Sequence, residues 1–179
     1  NLTGTEGSTQ YVIPPTATGT FKAYNLHINA GTTEYIFSRD SYFNYDTIVN
    51  DFKVYSGTVT FANGSGMPEN FHVGGYIEIY EDAEATADVN NSLSIDGGLS
   101  ILSDGTDKGS WIDNDNLSVN GNTYVWSDYT DDRWHFVSSP VTSAKSVVFL
   151  WMYLRYWDEP NADWVYIWEK TYDLLPGEG

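Results

Sequence analysis

One short phrase recurs along this chain and limits what it can fold into. Two apolar residues stand on either side of a polar one, and a glycine turn follows. Ser92-Leu93-Ser94-Ile95-Asp96-Gly97-Gly98 is the clearest copy. Asn25-Leu26-His27-Ile28-Asn29-Ala30-Gly31, Asp51-Phe52-Lys53-Val54-Tyr55-Ser56-Gly57, Asn70-Phe71-His72-Val73-Gly74-Gly75 and Asn116-Leu117-Ser118-Val119-Asn120-Gly121 have the same form. Asn1-Leu2-Thr3-Gly4 reads as a clipped copy. The first apolar residue of each copy falls at 2, 26, 52, 71, 93 and 117, so the gaps are 24, 26, 19, 22 and 24. Alternation at period two marks a strand with one buried face.

In most copies a second alternating run follows the glycine, as in Thr58-Val59-Thr60-Phe61 and Tyr76-Ile77-Glu78-Ile79-Tyr80. The unit is strand, glycine turn, strand, polar loop. A unit of this size cannot close a core alone, but stacked copies can. The expected fold is therefore all-β. A parallel β-solenoid, or β-helix, of about five to six short coils covers residues 1–126, and a β-sandwich-like module covers 127–179. Inward ladders are expected along Leu26, Phe52, Phe71, Leu93 and Leu117, and along Ile28, Val54, Val73, Ile95 and Val119. The rival is an antiparallel sandwich, which needs alternation but not the same residues at the same place in each unit. Loops are expected at 38–46, 62–68, 81–88 and 103–109, where polar and turn-forming residues cluster.

Lys plus Arg number 8 against 25 Asp plus Glu, a formal charge of −17. That balance excludes nucleic acid as a partner, because phosphate binding needs clustered cations, and it disfavours anionic lipid. There is no Cys, which excludes disulfides, thiolate metal sites and Cys nucleophiles. The longest apolar run, Val147 to Leu154, is too short to span a bilayer as a helix, so no membrane insertion is expected.

Near residue 126 the texture changes. Trp126, Trp134, Trp151, Trp157, Trp164 and Trp168 crowd the last third, while Trp111 alone lies earlier. Arg133 to Val137 reads as a strand ended near Pro140. Val147 to Tyr156 reads as one strand buried on both faces or two short ones, and Ala162 to Trp168 as another. The closing Leu175-Pro176-Gly177-Glu178-Gly179 reads as a turn leading to a further strand, so the module is expected to be incomplete.

Trp134-His135-Phe136-Val137-Ser138-Ser139-Pro140-Val141 resembles the W-x-x-[ILV]-S-S-P opening of a module in large secreted proteins of Bacteroidota. That module continues with a Tyr-x-[Tyr/Trp]-[Asp/Asn]-Glu segment, a Trp and a Gly-x-Gly-Tyr turn. Here Tyr156-Trp157-Asp158-Glu159, Trp164 and Gly177-Glu178-Gly179 stand in that order. The earlier repeats are similar to solenoid segments of the same proteins. The resemblance implies a non-enzymatic, adhesin-like cell-surface or released protein, exported by type IX secretion and part of a larger chain or assembly. Its implied partners are other surface or secretion-system proteins, or glycans. Asp46-Thr47-Ile48 fits that phylum's O-glycosylation sequon, which makes Thr47 the candidate acceptor.

The remaining residues carry little chemistry. No pair of carboxylates stands out for acid–base work, no nucleophile elbow is present and no phosphate-cradling glycine loop appears. A pectate-lyase-like enzyme would share the solenoid, but fold alone does not bring the activity. His27 and His72 hold the same place in two copies and should point outward on one face, and His135 reads as a strand residue. A structural Ca²⁺ is the one cofactor considered. Asp113, Asp115, Asp128, Asp131 and Asp132 pack oxygen ligands into short loops, although none has EF-hand spacing. Glycan binding would rest on flat aromatic faces, with Tyr129, Trp134, Trp157 and Trp164 as candidates. A carbohydrate-binding module is thus the alternative to a structural stalk.

Overall fold

The computed structural model describes residues 9–12, 22–37, 46–61, 70–87, 92–114, 117–128, 133–141, 144–149 and 152–176. Twelve strands form in the first part of the chain: β1 (Thr9–Val12), β2 (Lys22–Ala23), β3 (Leu26–Phe37), β4 (Asp46–Ile48), β5 (Phe52–Phe61), β6 (Asn70–Val73), β7 (Tyr76–Ala87), β8 (Ser92–Ile95), β9 (Gly98–Ile101), β10 (Ser110–Ile112), β11 (Leu117–Val119) and β12 (Asn122–Val125). They make two sheets. One runs β1-β3-β5-β7-β9-β12, with β10 also paired to β7, and the other runs β11-β8-β6-β4-β2. Every pairing within these two sheets is parallel. Apart from β10, successive strands alternate between the sheets, and each returns one unit later beside its own predecessor. That is a parallel β-solenoid, and it rules out the antiparallel sandwich for this region.

Like residues meet in columns, but in two sets of columns rather than one. In the first sheet Leu26, Phe52, Ile77 and Leu99 are in register, as are Ile28, Val54, Ile79 and Ile101. In the second sheet the columns are Phe71, Leu93 and Leu117, and Ile48, Val73, Ile95 and Val119. The single ladder expected from Leu26 through Leu117 therefore breaks between Phe52 and Phe71. Both strands of a unit carry the same apolar-polar-apolar signature, so the phrase alone does not say which strand it is. Counted within one sheet the spacing evens out. Second-sheet positions fall at 23, 48, 73, 95 and 119, in steps of 25, 25, 22 and 24. The short gap of 19 is where the phrase changes sheet.

The long strands β3, β5 and β7 bend partway and add a further inward-facing set. Register shifts mark the bend in β3 and β5, near Asn29 and between Val54 and Ser56. Beyond it Tyr35, Val59, Ala85 and Trp111 align, followed by Phe37, Phe61 and Ala87. Ser56 pins this corner across neighbouring strands. Its Oγ accepts from the N–H groups of Ala30 (3.1 Å) and Gly31 (3.0 Å) and donates to Asn29 Oδ1 (2.8 Å). Glu81 to Ala87, expected as an acidic loop, is the far half of β7 instead. Ala83, Ala85 and Ala87 face inward there and are buried. Small residues fit because the nearby space is filled by rings: Phe61 lies 4.8 Å from Phe71 and 6.2 Å from Trp111, centroid to centroid.

The core is the sum of these columns. Phe52, Ile28, Ile77, Ile79, Leu93 and Ile95 are all essentially inaccessible to solvent, and burying each such side chain contributes roughly 1.5–3 kcal/mol. Between β9 and β10 the chain makes a small excursion closed by a Ser103–Lys108 antiparallel bridge. Within it the Asp104 carboxylate accepts hydrogen bonds from the N–H groups of Asp107 (2.9 Å) and Thr106 (2.8 Å), which hold its pKa below the usual carboxylate value.

The chain divides into two units, 1–130 and 131–179. The second holds β13 (Ala144–Lys145), a 3₁₀ turn at Ser146–Phe149, β14 (Arg155–Asp158), β15 (Asp163–Tyr166) and β16 (Asp173–Leu174). β13 pairs antiparallel with β16, and β14 with β15. Two expectations fail here. Residues 133–140 form no strand, and the Val147–Tyr156 run is interrupted by the 3₁₀ turn, with Val147 and Val148 exposed. Among the described residues of this unit only Ser139 and Ser146 are buried. Among the described residues no strand pairs with the Trp134–Phe136 segment to convert its alternation into a ladder. Among the described residues of the whole chain no helix is long and apolar enough to cross a membrane.

Candidate functional site

A concavity lies within the second unit. It has a volume of about 400 Å³ and is walled by rings: Trp134 and Phe136 from the segment before β13, Tyr153 and Tyr156 around β14, Trp164 from β15 and Tyr172 before β16. Volumes of this order suit small-molecule or single-sugar recognition. The β14–β15 hairpin builds its floor. Register sets Arg155 opposite Tyr166 and Trp157 opposite Trp164, and cross-strand aromatic pairs of this kind stabilise a short hairpin. Trp157 and Trp164 meet edge to face at 5.4 Å. The turn between the strands is held by Asn161, whose N–H donates to Asp158 O (3.2 Å) and whose side-chain amide donates to Asp158 Oδ2 (2.6 Å). Ala162 closes it with a φ of 49°.

Arg155 is the charged group at the centre of this wall. Its guanidinium carbon lies 3.8 Å from the Tyr166 ring centroid and 5.0 Å from that of Trp134. Cations attract the negative face of such rings. Arg155 Nε is buried and has no hydrogen-bond partner among the described residues. His135 and Asp173 also line the cavity, and Asp173 is ion-paired with Lys145. Phe136 and Trp164 approach to 6.5 Å, and Tyr156 stacks on Tyr172 at 6.0 Å. The rings remain accessible: Phe136 is 84 % exposed and Trp134 68 %. Chemically the cleft offers aromatic faces, the Arg155 guanidinium, the His135 imidazole and the Asp173 carboxylate, the last held by Lys145.

Of the aromatic candidates, Trp134 and Trp164 line this one cavity, and Trp157 backs Trp164 from outside it. Tyr129 lies outside the described residues. Arg155, Tyr156 and Phe136 were missed as site residues. The missed signal was the order Arg155-Tyr156-Trp157 on one strand against Trp164-Val165-Tyr166 on its partner.

Asp113 follows β10 and Asp128 follows β12, both exposed, while Asp115, Asp131 and Asp132 lie outside the described residues. Among the described residues no three His, Asp or Glu side chains come close enough together to hold a metal. Thr47 sits in β4, its backbone paired with Lys22 on one side and His72 on the other.

The histidines part company. His27 lies in the first sheet beside Lys53, and His72 in the second beside Ser94, so they do not share a face. The phrase they both interrupt belongs to different strands of the unit. His27 packs its edge on Tyr55 at 5.8 Å. His72 bridges Ser94 Oγ (Nδ1, 3.0 Å) and Asp96 Oδ2 (Nε2, 3.3 Å). Ser94 stands on β8, which is paired with β6 on one side and β11 on the other. Outside the first sheet, Lys53 Nζ meets Glu78 Oε2 at 2.6 Å and Tyr80 donates to the same oxygen at 3.0 Å. The Glu78 contact raises the Lys53 pKa, and burial together with the Glu78 hydrogen bond pushes Tyr80 up to about 12.

The fold and cleft together define an all-β protein with a parallel β-solenoid and an aromatic-walled cavity. No family model, no curated protein and no solved structure matches the chain.

Proposed function

We propose that this chain is part of a non-enzymatic, extracellular adhesive protein of the bacterial surface, a type IX secretion substrate of the kind its Ser-Ser-Pro module resembles. In this reading a solenoid of five to six short coils is a stiff stalk, and a β-sandwich-like module presents the contact surface. The observation that carries it is the run of parallel strand pairings from β1 to β12 along one sheet. Stacked parallel coils resist bending because each inner strand is hydrogen-bonded to a neighbour on both sides along the column. The test is whether intact cells display the protein. Antibody against the chain should label unpermeabilised cells of the source organism, and deletion of its coding segment should lower adhesion to a substratum. Labelling only after lysis would remove the reading.

A second reading is favoured by the cleft itself: carbohydrate binding through Trp134 and Trp164, whose rings face one cavity. Aromatic faces stack on the apolar faces of sugar rings and exclude water there. Titration of tryptophan fluorescence with soluble polysaccharides should give a saturable change. A flat response across neutral and acidic polysaccharides would eliminate it.

A further inference from the structure

Three features of the cleft point to one ligand chemistry. The Arg155 guanidinium has no carboxylate partner among the described residues, whereas the nearby Lys145 is taken by Asp173 and Lys53 by Glu78. Its Nε is buried without an acceptor. Its guanidinium carbon lies 3.8 Å from the Tyr166 ring centroid and 5.0 Å from that of Trp134, at the wall of the cavity. A guanidinium edge pairs best with a carboxylate, which can accept two parallel hydrogen bonds from it. The surrounding rings, Trp134, Phe136, Tyr156 and Trp164, suit the apolar face of a pyranose rather than a second charge.

From these features we infer that the cleft binds a carboxylated sugar, a uronic acid or similar acidic saccharide, with Arg155 holding the carboxylate and the rings holding the sugar. The inference rests on the carbohydrate-binding reading above and deepens it. The chain's formal charge of −17 sets a limit on the ligand. A dense polyanion is repelled by the rest of the surface, so the fitting ligand carries its charges sparsely, one per sugar ring, with neutral hydroxyls between them.

The test compares tetragalacturonate with its fully methyl-esterified form by isothermal titration of the full chain. The two probes share a sugar skeleton and differ in charge. The acid should bind about tenfold or more tighter than the ester, as expected for one charge-assisted bidentate pair. Arg155→Gln should abolish that preference, and Arg155→Lys should restore only part of it, because a point charge lacks the fork. Near-UV circular dichroism of each variant checks that the aromatic cleft is intact. If Arg155→Gln does not fold, the acid-against-ester comparison on the unaltered chain decides. Equal affinity for acid and ester, or an Arg155→Gln variant that keeps the preference, would overturn the role of Arg155 while leaving the cleft a sugar site. Binding of neither probe, nor of neutral cellotetraose, would overturn the carbohydrate reading along with it.

Discussion

Gly57 has a φ of 88°, and a Cβ built on it would lie 2.6 Å from Thr33 O and 3.0 Å from Ala30 Cβ. Both the backbone conformation and the space demand glycine at this corner. Gly57→Ala should cost about 1–3 kcal/mol. At this chain length that lowers the melting temperature by a few degrees per kcal/mol, about 2–4 °C, readable by thermal circular dichroism. A melting temperature unchanged from the parent would show that the corner can open. The glycine was legible as a turn signal, but the corner was not, because only the neighbouring strand reveals what its Cβ would strike. Tyr80 gives a second test. Burial and the Glu78 hydrogen bond push its phenol up to about 12, so the folded state holds its proton over a range where the unfolded chain loses it. Lys53, raised for its own part by Glu78, acts in the same direction. Stability from this cluster is thus present below pH 10 and declines as pH rises toward 12. A spectrophotometric phenol titration should show one late-ionising tyrosine, and Tyr80→Phe should remove it. If all tyrosines titrate together near 10, the cluster is not formed.

At the scale of elements, the columns differ in how deeply each rung is buried. Ile95 is fully buried between Val73 and Val119, whereas Val119 is half-buried and paired on one side only. Ile95→Ala should destabilise by about 2–5 kcal/mol, and Val119→Ala by clearly less. Urea unfolding of the two variants checks the order, and the reverse order would mean that the stack does not carry the stability. Strand existence and inward faces were readable from alternation alone in Leu93-Ser94-Ile95. The assignment of a phrase to a sheet was not, since strands on either side of a turn look alike. Ala83, Ala85 and Ala87 were invisible as a buried face because alanine is a weak apolar signal and acidic residues alternate with it.

The two units differ as wholes in what they bury. The solenoid has a continuous core, while the described residues of 131–179 leave Phe136, Trp168, Tyr153 and Trp134 largely exposed. Regions with few buried apolar contacts open at lower free energy. Denaturation of the full chain should therefore be non-coincident. Tryptophan fluorescence, dominated by the second unit, should change at lower urea than the far-ultraviolet signal of the parallel strands. A single shared midpoint would refute independent opening. For the same reason Trp164→Ala should abolish any saccharide-induced fluorescence change without moving the far-ultraviolet transition. Loss of both signals together would assign Trp164 to the fold rather than to a site.

What the order of amino acids determined alone is local. Apolar residues every second position, with glycine between the runs, dictate strands and turns of a set length, and their recurrence dictates stacking. Which strand lies on which, and which side chains gather round Arg155, was decided by tertiary structure, because those neighbours are brought together only when strands distant along the chain settle into register. The columns obey a repeat that can be read along the chain. The cleft obeys none, for it is assembled once, where the segment before β13 meets the β14–β15 hairpin.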